Sequence, residues 1–280
     1  MKKLYGVIGD PIGHSLSPAM HNQEFKSLGI DGHYQPFRIK IEDLKTAVEG
    51  MKVMGISGFN VTIPHKSSII PILDGIDPLA EAIGAVNTVV REDGRFIGYN
   101  TDGKGYLHSL MEDWKTELSG EKALVIGAGG ASKAIYFTLV SAGMAHVDIC
   151  NRSVDKARDL IGHCPFENKS KAISLQEAEE ILGDYSLIVQ TTPIGMYPNV
   201  ENTPISLMNL AKGTFVSDII YNPGETEFLK TARIKGAKTQ NGLGMFVGQG
   251  ALAFELWTGI KPDIQRMKKT VLEQLGGQLC

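Results

Sequence analysis

The chain has few of the features that mark several large classes of protein. Its 280 residues include three cysteines, Cys150, Cys164 and Cys280, without the C-x-x-C spacing of a zinc or redox site. An odd number of irregularly spaced cysteines also argues against a disulfide framework. We therefore expect a protein of the reducing cytoplasm that has no metal site and in which Cys150 packs as a core thiol.

The sequence also lacks an excess of positive charge and a long apolar run. Its 28 lysines and arginines are interspersed among 31 acidic residues, which gives a net charge of −3 and no basic stripe for a phosphate backbone. No apolar run approaches the length of a membrane span, and Asp10, Pro11 and His14 interrupt the N-terminal stretch before a signal peptide could form. We expect neither nucleic acid nor a membrane as a partner.

Short β-rich runs alternate with helical patterns, which is typical of a parallel α/β sheet. In the N-terminal third the predicted strands are residues 4–8, 33–38, 58–63, 85–90 and 95–99. The last two read as a hairpin around Asp93-Gly94. Four further strands are predicted at residues 122–126, 147–150, 187–190 and 215–219, with helices between them. This alternation is typical of a doubly wound sheet.

These patterns predict an α/β protein with two domains. A mainly parallel α/β substrate domain would comprise residues 1–104 plus 243–280, and a Rossmann-like doubly wound nucleotide domain would comprise residues 105–242. Helical patterns at 245–257 and 262–275 follow without a further strand. We expect these C-terminal helices to return to the first domain, because the second sheet is complete without them.

A glycine-rich turn joins the predicted strand at 122–126 to a helix. Its glycines stand where a helix N-terminus can accept a pyrophosphate. The pattern departs from G-x-G-x-x-G because Ser132 occupies the third glycine position, although a small residue still permits close packing. An ordinary glycine-rich turn is the alternative, but the next strand follows at the right interval for a dinucleotide site. The residues assigned to the cofactor here are Gly127, Ala128, Gly129, Gly130 and Ala131.

The residues after the strand at 147–150 predict NADP. NAD sites usually hold an acidic residue there against the ribose, whereas this chain has Asn151-Arg152-Ser153. A guanidinium at 152 can pair with the 2′-phosphate of NADP. Asp148 lies within the strand and is poorly placed to reach the ribose. Lys156, one helical turn on, either assists or is a solvated helix lysine.

Lys66 and Asp102 follow two predicted strands. Lys66 lies past the strand at 58–63, at the carboxyl edge where open α/β sheets bind ligands. Asp102 lies past the strand at 95–99, where we expect Gly103 to permit a sharp exit from the sheet. An ammonium can stabilise and protonate the alkoxide that forms when a carbonyl receives hydride, while a carboxylate holds the amine. From spacing alone, a solvated loop lysine is the better fit, since most lysines are solvated.

Ser15 and Ser17 stand two residues apart before a predicted helix. In an extended segment both hydroxyls would point the same way and jointly hold an anionic group. Alternatively, Ser17 caps the helix that starts at Pro18.

Seven segments occur in the order typical of the shikimate dehydrogenase family, whose members interconvert 3-dehydroshikimate and shikimate with NADP(H). They are residues 6–18, 58–66, 84–88, 98–102, 127–131, 151–152 and 242–249. Because they span nearly the full chain, the resemblance is specific. It implies an NADP-dependent, cytoplasmic enzyme of aromatic amino-acid biosynthesis and leaves monomer and homodimer open.

The resemblance also implies roles for individual residues. Lys66 and Asp102 would be the catalytic pair, and Ser15 and Ser17 would hold the substrate carboxylate. The residues that would read the ring hydroxyls or touch the substrate are Asn60, Thr62, Asn87, Asp102, Tyr221 and Gln249. Gly242 and Met245, in the last matching segment, are assigned to the cofactor. Asp10, where many relatives have Asn, would repel the substrate unless it points away.

Two alternatives stay open. The related quinate/shikimate dehydrogenases accept quinate and can use NAD, and Asn151-Arg152 argues against that assignment. The second alternative is a catalytically silent ligand-binding regulator on the same fold. Retention of both Lys66 and Asp102 speaks against it.

Overall fold

The computed structural model describes residues 2–276, which divide into two compact units. The first unit comprises residues 2–101 and 247–276, and the second comprises Asp102–Phe246. The predicted domain boundaries lie after residues 104 and 242, and this division into domains remains a prediction. Residue 1 and residues 277–280 of the predicted ranges, which include Cys280, lie outside the described residues.

Strands and helices alternate along the chain. The strands are β1 (Lys3–Gly9), β2 (Gly32–Arg38), β3 (Gly58–Val61), β4 (Gly75–Ile76), β5 (Thr88–Glu92), β6 (Arg95–Tyr99), β7 (Lys122–Ile126), β8 (His146–Cys150), β9 (Ala172–Ile173), β10 (Leu187–Gln190), β11 (Phe215–Asp218) and β12 (Lys238–Gln240). The α-helices are α1 (Ser17–Ser27), α2 (Leu44–Val53), α3 (Pro78–Ile83), α4 (Asp102–Asp113), α5 (Gly130–Ser141), α6 (Val154–Gly162), α7 (Leu175–Glu180), α8 (Glu227–Ile234), α9 (Leu243–Thr258) and α10 (Ile264–Gln274).

The sheet of the first unit has the strand order β2-β1-β3-β5-β6-β4 over the described residues. Strand β1 pairs in parallel with β2 and β3, and β4 pairs in parallel with β6. The predicted hairpin is confirmed, because β5 and β6 are antiparallel around Asp93 and Gly94, both of which have positive φ. Strand β5 begins at Thr88 rather than 85, since the backbone N–H of Val86 donates instead to the Lys66 carbonyl.

The C-terminal helices complete the core of the first unit, as expected. Phe254 of α9 packs on Phe25 with ring centroids 4.9 Å apart, and the Trp257 indole donates to the Val89 carbonyl at 2.9 Å. From α10, the Arg266 guanidinium forms two 2.8 Å hydrogen bonds to the fully buried carboxylate of Glu24. A buried carboxylate needs such a partner, so this ion pair fixes α10 against α1.

The sheet of the second unit has the strand order β12-β11-β10-β7-β8-β9, and all of its pairs are parallel. This order is that of a Rossmann-like doubly wound sheet, which confirms the predicted fold class. The order reverses at β7, whose carboxyl end carries the glycine-rich turn. The prediction missed β9 and β12 because two or three residues carry no periodic signal.

The expectation of a sharp chain exit at Gly103 is wrong. Asp102 is the first residue of α4, and Gly103 lies in its first turn without a positive φ. A Cβ at Gly103 would overlap the Thr138 hydroxyl and lie 2.5 Å from the Ala134 carbonyl of α5. The glycine therefore serves close packing of α4 on α5.

Cys150 is fully buried, and burial raises its pKa to about 12, in agreement with a core thiol. Within residues 2–276, every helix is too short or too polar to cross a membrane. The same residues contain no cluster of three or more histidine, cysteine, aspartate or glutamate side chains arranged to hold a metal ion.

Candidate active site

A network of buried polar side chains lies at the ends of β3 and β5 in the first unit. Asn60 is 6% exposed, and its Oδ1 accepts a 2.8 Å hydrogen bond from the Tyr34 hydroxyl. Its Nδ2 donates to the Asn87 carbonyl at 3.2 Å and to Thr88 Oγ1 at 3.1 Å. Polar atoms that are buried and mutually bonded hold fixed positions, which suits recognition of a small polar ligand.

Asn87 is the second centre of this network. Its Nδ2 donates to Thr101 Oγ1 at 2.9 Å and to Gln249 Oε1 at 3.4 Å, and its Oδ1 accepts from the Thr101 backbone N–H at 2.8 Å. Gln249, on α9, is thus held beside residues of β3 and β5 although nearly 190 positions separate it from Asn60. The fold brings these predicted substrate residues together within one unit.

Lys66 follows a turn in which His65 N–H donates to the Thr62 carbonyl at 2.9 Å, and both Thr62 and Lys66 are half-buried. The Lys66 carbonyl accepts from Val86 N–H at 2.8 Å, so its backbone is tied to the residue before Asn87. Asp102 is 7% exposed and opens α4, in the second unit. The pairing of Lys66 with Asp102 stays a prediction.

The two serines depart from both geometries considered for them. Leu16 between them has helical angles, φ −86° and ψ −8°, so the segment is not extended and the alternation argument is wrong. Ser17 is the first residue of α1 and does not cap it, because Leu16 is the N-cap residue and forms no side-chain cap bond. Instead, Ser15 Oγ accepts from the Ser17 backbone N–H at 3.3 Å. Ser17 itself is 7% exposed.

Asp10, before this loop, is engaged in an ion pair. Its Oδ1 accepts from Arg38 Nε at 2.6 Å, while its backbone N–H donates to the Ile63 carbonyl. The guanidinium compensates the carboxylate, which removes the reason to expect repulsion of an anionic substrate.

In the second unit, the glycine-rich turn leaves room in front of α5. Gly127 has φ +112°, and a Cβ there would lie 2.7 Å from Thr191 Oγ1. Ser132 is buried, and its hydroxyl donates to the Gly127 carbonyl at 2.6 Å, so it closes the turn in place of a third glycine. Cβ atoms at Gly129 and Gly130 would meet nothing within 4 Å. The flanking Ala128 and Ala131 are half-buried.

The residues after β8 lie at the surface. Arg152, Ser153 and Lys156 are exposed, and Asn151 Nδ2 folds back to the Ser153 carbonyl at 2.9 Å. Asp148, by contrast, is 3% exposed and accepts hydrogen bonds within the unit from Tyr185 Oη and Lys171 N. As expected, its carboxylate is used inside the fold and does not reach the end of the strand.

Tyr221 lies in the turn after β11 and is half-buried against Phe246, with ring centroids 4.8 Å apart. Burial raises the Tyr221 pKa above its ordinary value. Asp218 shapes this turn, because its carboxylate accepts from Ile220 N at 2.9 Å and from Thr226 Oγ1 at 2.8 Å.

Gly242 and Met245 stand at the start of α9. A Cβ at Gly242 would overlap the carbonyl of Ile219, so no larger residue fits beside β11. Met245 is buried, with 9% exposure.

The sequence analysis missed several residues that organise these sites. Thr88 and Thr101 lie in the matched segments and are threonines at strand ends, a signal that was available. Tyr34 and Asp218 gave no such signal, because an isolated tyrosine or aspartate in a predicted strand is interpreted as a core or edge residue.

Comparisons with known proteins agree over nearly the whole chain. Family models match residues 7–89 (shikimate dehydrogenase substrate binding domain), 109–219 (shikimate / quinate 5-dehydrogenase) and 242–272 (shikimate 5′-dehydrogenase C-terminal domain). The shikimate dehydrogenase (NADP(+)) of Bacillus cereus strain AH820 is 57% identical over 99% of this chain and 100% of its own length.

Solved structures show the same fold. A shikimate dehydrogenase in complex with NADP+ is 42% identical with a TM-score of 0.90, covering 98% of this chain and 96% of that one. The shikimate 5-dehydrogenase of Thermus thermophilus in complex with NADP(H) and shikimate is 36% identical with a TM-score of 0.87, covering 97% and 99%.

Proposed function

This chain belongs to the shikimate dehydrogenase family and is an NADP-dependent oxidoreductase, and we propose that Lys66 and Asp102 form its acid-base pair. The reaction is the reversible reduction of 3-dehydroshikimate to shikimate, a step toward chorismate and the aromatic amino acids. The observation that carries the proposal is the bond from Val86 N to the Lys66 carbonyl, which fixes the lysine backbone beside the buried amide of Asn87.

In this reaction the substrate carbonyl carbon gains a hydride and its oxygen gains a proton. NADPH supplies the hydride when it is bound. As the carbon–oxygen π pair moves onto oxygen, the Lys66 ammonium stabilises the charge and passes one proton to it, which leaves a neutral amine. In the reverse direction the amine takes the hydroxyl proton. The Asp102 carboxylate holds the ammonium toward the substrate.

A small polyhydroxylated acid requires many short polar groups and little apolar surface. We assign the carboxylate of the substrate to Ser15 and Ser17. The acidic residue that precedes this loop in the chain, Asp10, is paired with Arg38. The residues assigned to the ring and its hydroxyls are Asn60, Thr62, Asn87, Asp102, Tyr221 and Gln249. The mutual hydrogen bonds of Asn60, Asn87 and Gln249 support this assignment.

The second unit has the features that NADP requires. The open space at Gly129 and Gly130 admits a pyrophosphate to the N-terminus of α5, whose first turn contains no acidic residue. The exposed Arg152 guanidinium provides a bidentate donor for the 2′-phosphate, with Ser153 and Lys156 beside it. We assign Ala128, Ala131, Asn151, Gly242 and Met245 to the same site, and we further propose a cytoplasmic enzyme that is a monomer or a homodimer.

A four-way steady-state assay tests the function. The purified chain is assayed with shikimate or quinate and with NADP or NAD, and NADPH or NADH is followed by absorbance. We expect the highest kcat/KM with shikimate and NADP. A preference for quinate and NAD would instead identify the quinate/shikimate type, and binding of shikimate and NADP without turnover would identify a silent regulator.

A further inference from the structure

Tyr34, on β2, lies beneath the predicted substrate residues and has no role in the function proposed above. Its side chain is 1% exposed, and its hydroxyl donates to Asn60 Oδ1 at 2.8 Å. The ring stacks on the imidazole of His21, with centroids 4.5 Å apart. A buried tyrosine whose hydroxyl donates to a predicted substrate residue is a candidate for orienting that residue.

The partners of Asn60 fix which way its amide faces. The backbone carbonyl of Asn87 lies 3.2 Å from Asn60 Nδ2, and a carbonyl can only accept a hydrogen bond. The NH2 group must therefore face Asn87, and the second amide hydrogen goes to Thr88 Oγ1. Oδ1 then faces Tyr34, whose hydroxyl must be the donor. Both Asn60 amide hydrogens are used within the protein, and Oδ1 keeps one lone pair.

The surroundings of Tyr34 hold its hydroxyl in this role. Neither ring nitrogen of His21 has a hydrogen-bond partner among the described residues, and burial lowers the His21 pKa to about 3, so a neutral imidazole supports the ring without an ionic contact. Burial raises the pKa of Tyr34 well above its ordinary value, and a hydrogen bond from the Ser17 side chain opposes that rise. The hydroxyl thus stays protonated and lies between Ser17 and Asn60.

We propose that Tyr34 is a positioning residue that fixes Asn60 as a hydrogen-bond acceptor, so that the substrate must present a donating hydroxyl at this point. The inference rests on the proposed function, because it takes Asn60 as a substrate residue. The inference adds a rule for substrate selection. At the ring position that meets Asn60, the site favours a substrate with a hydroxyl group over one with an oxo or ether group, which cannot donate a hydrogen bond.

The first test is Tyr34→Phe, which removes only the hydroxyl. Without its donor, Oδ1 becomes an unpaired buried acceptor, and the amide is held only by its two Nδ2 hydrogen bonds to Asn87 and Thr88, which weakens its placement. We expect KM for shikimate to rise about ten-fold, with kcat within about two-fold of wild type and KM for NADP unchanged. Tyr5→Phe is the matched control, because Tyr5 lies in the same aromatic cluster and its hydroxyl contacts no predicted substrate residue. Equal effects of the two substitutions on KM would overturn the proposal.

Asn60→Ala separates this inference from the proposed function. If Asn60→Ala raises KM for shikimate while Tyr34→Phe does not, Asn60 keeps its role and the positioning by Tyr34 is wrong. If neither substitution changes KM, the assignment of Asn60 to the substrate fails first. In the double variant we expect a loss smaller than the sum of the two single losses, since the hydroxyl acts mainly through that amide and only its contact with Ser17 is independent of Asn60. Additive losses would contradict the proposal.

A substrate-side test needs no variant. Fluorine in place of a ring hydroxyl cannot donate a hydrogen bond. With the wild-type chain, we expect that one of the non-reacting hydroxyls of shikimate, when replaced by fluorine, costs about ten-fold in KM, and that Asn60→Ala removes this discrimination. Retention of wild-type KM by every fluorinated analogue would show that Asn60 does not act as an acceptor.

Discussion

Several of the predicted ligand-binding residues are buried in the first unit, whereas several of those in the second unit are exposed. In the first unit, Asn60 and Asn87 are buried; the Asn60 side chain donates to the Asn87 carbonyl, and the Asn87 side chain bonds to Thr101. In the second, Arg152 and Lys156 are exposed, and the space before Gly129 and Gly130 is open. The difference suits the ligands that we propose for the two sets of residues: a small sugar-like acid must be told apart by hydroxyl positions, whereas a dinucleotide phosphate can be held by backbone N–H groups and charge.

The units also differ in how burial shifts the pKa of one ionisable group in each. Burial lowers the pKa of His21 in the first unit to about 3 and raises that of Asp218 in the second to about 7. Both groups are therefore neutral over part of the acidic range, but they shift stability with pH in opposite directions. The two units should respond differently to acid.

The largest expected effect concerns Lys66, the proposed catalytic group of the first unit. Lys66→Ala should lower kcat by about 10²–10⁴ and change KM far less, because the ammonium acts on charge that develops during the reaction. Steady-state assays with shikimate and NADP measure it. NADP affinity, which we assign to the second unit, serves as the internal control and should not change. Turnover close to wild type would exclude Lys66 from proton transfer.

Arg152→Ala should act only on the second unit. Loss of a charge-assisted contact to the 2′-phosphate should weaken NADPH binding by about 1.5–3 kcal/mol and leave NADH nearly unaffected. Calorimetric titration of both cofactors measures this difference. Lys156→Ala is the matched control, because Lys156 either assists at the phosphate or is only a solvated helix lysine. We expect Lys156→Ala to weaken NADPH binding less than Arg152→Ala does. Equal losses for NADPH and NADH would mean that Arg152 does not read the phosphate.

The third prediction concerns acid sensitivity of the first unit. The folded pKa of His21 lies below the ordinary 6.5, so the unfolded chain binds the proton first and stability falls as the pH drops below about 6.5. Between pH 6.5 and 5 this should cost about 2 kcal/mol of the free energy of opening. Hydrogen exchange of β1 and β2 amides, corrected for intrinsic rates, measures it. His21→Phe should flatten the dependence, and an unchanged slope would contradict it.

The fourth prediction is the reverse trend in the second unit. The Asp218 pKa is raised from 3.8 to about 7, so the folded state keeps a proton that the unfolded chain releases, and stability is lost as the pH rises through this window. Between pH 5 and 6 the expected loss is about 1.4 kcal/mol. Exchange of β10 and β11 amides reports it, with Asp218→Asn as the variant that removes the slope. A parallel response of both units would refute the contrast.

The sequence predicted best those features that local chemistry alone determines. The glycine-rich turn after β7 and the hairpin at Asp93-Gly94 need particular backbone angles, and few residues provide them. The start of α4 at Asp102 was missed because Gly103 and Gly105 are poor helix formers. Packing against α5 outweighs that weak propensity, and packing is not visible in a local pattern.

For the site, the sequence predicted candidate residues but not their conformations or long-range contacts. The matched segments supplied the candidate residues, whose roles stay predictions. The loop around Leu16 could not be derived, since a helical conformation at one residue removes the basis for the alternation argument. The role proposed for Tyr34 depends on three hydrogen bonds that join β2, β3 and residues 87–88 at the start of β5, and such long-range pairing has no sequence period.

The first unit is built from two separate stretches of chain, and this affects the order in which the protein is completed during synthesis. Residues 102–246 form the second unit without interruption, whereas the core around Tyr5 needs Phe254 and Trp257, and Glu24 needs Arg266. The strands that leave the ribosome first must therefore wait for the last helices, while the nucleotide unit can fold earlier. Until then Glu24 has no guanidinium partner, so the nascent N-terminal segment is the part most exposed to chaperones and proteases.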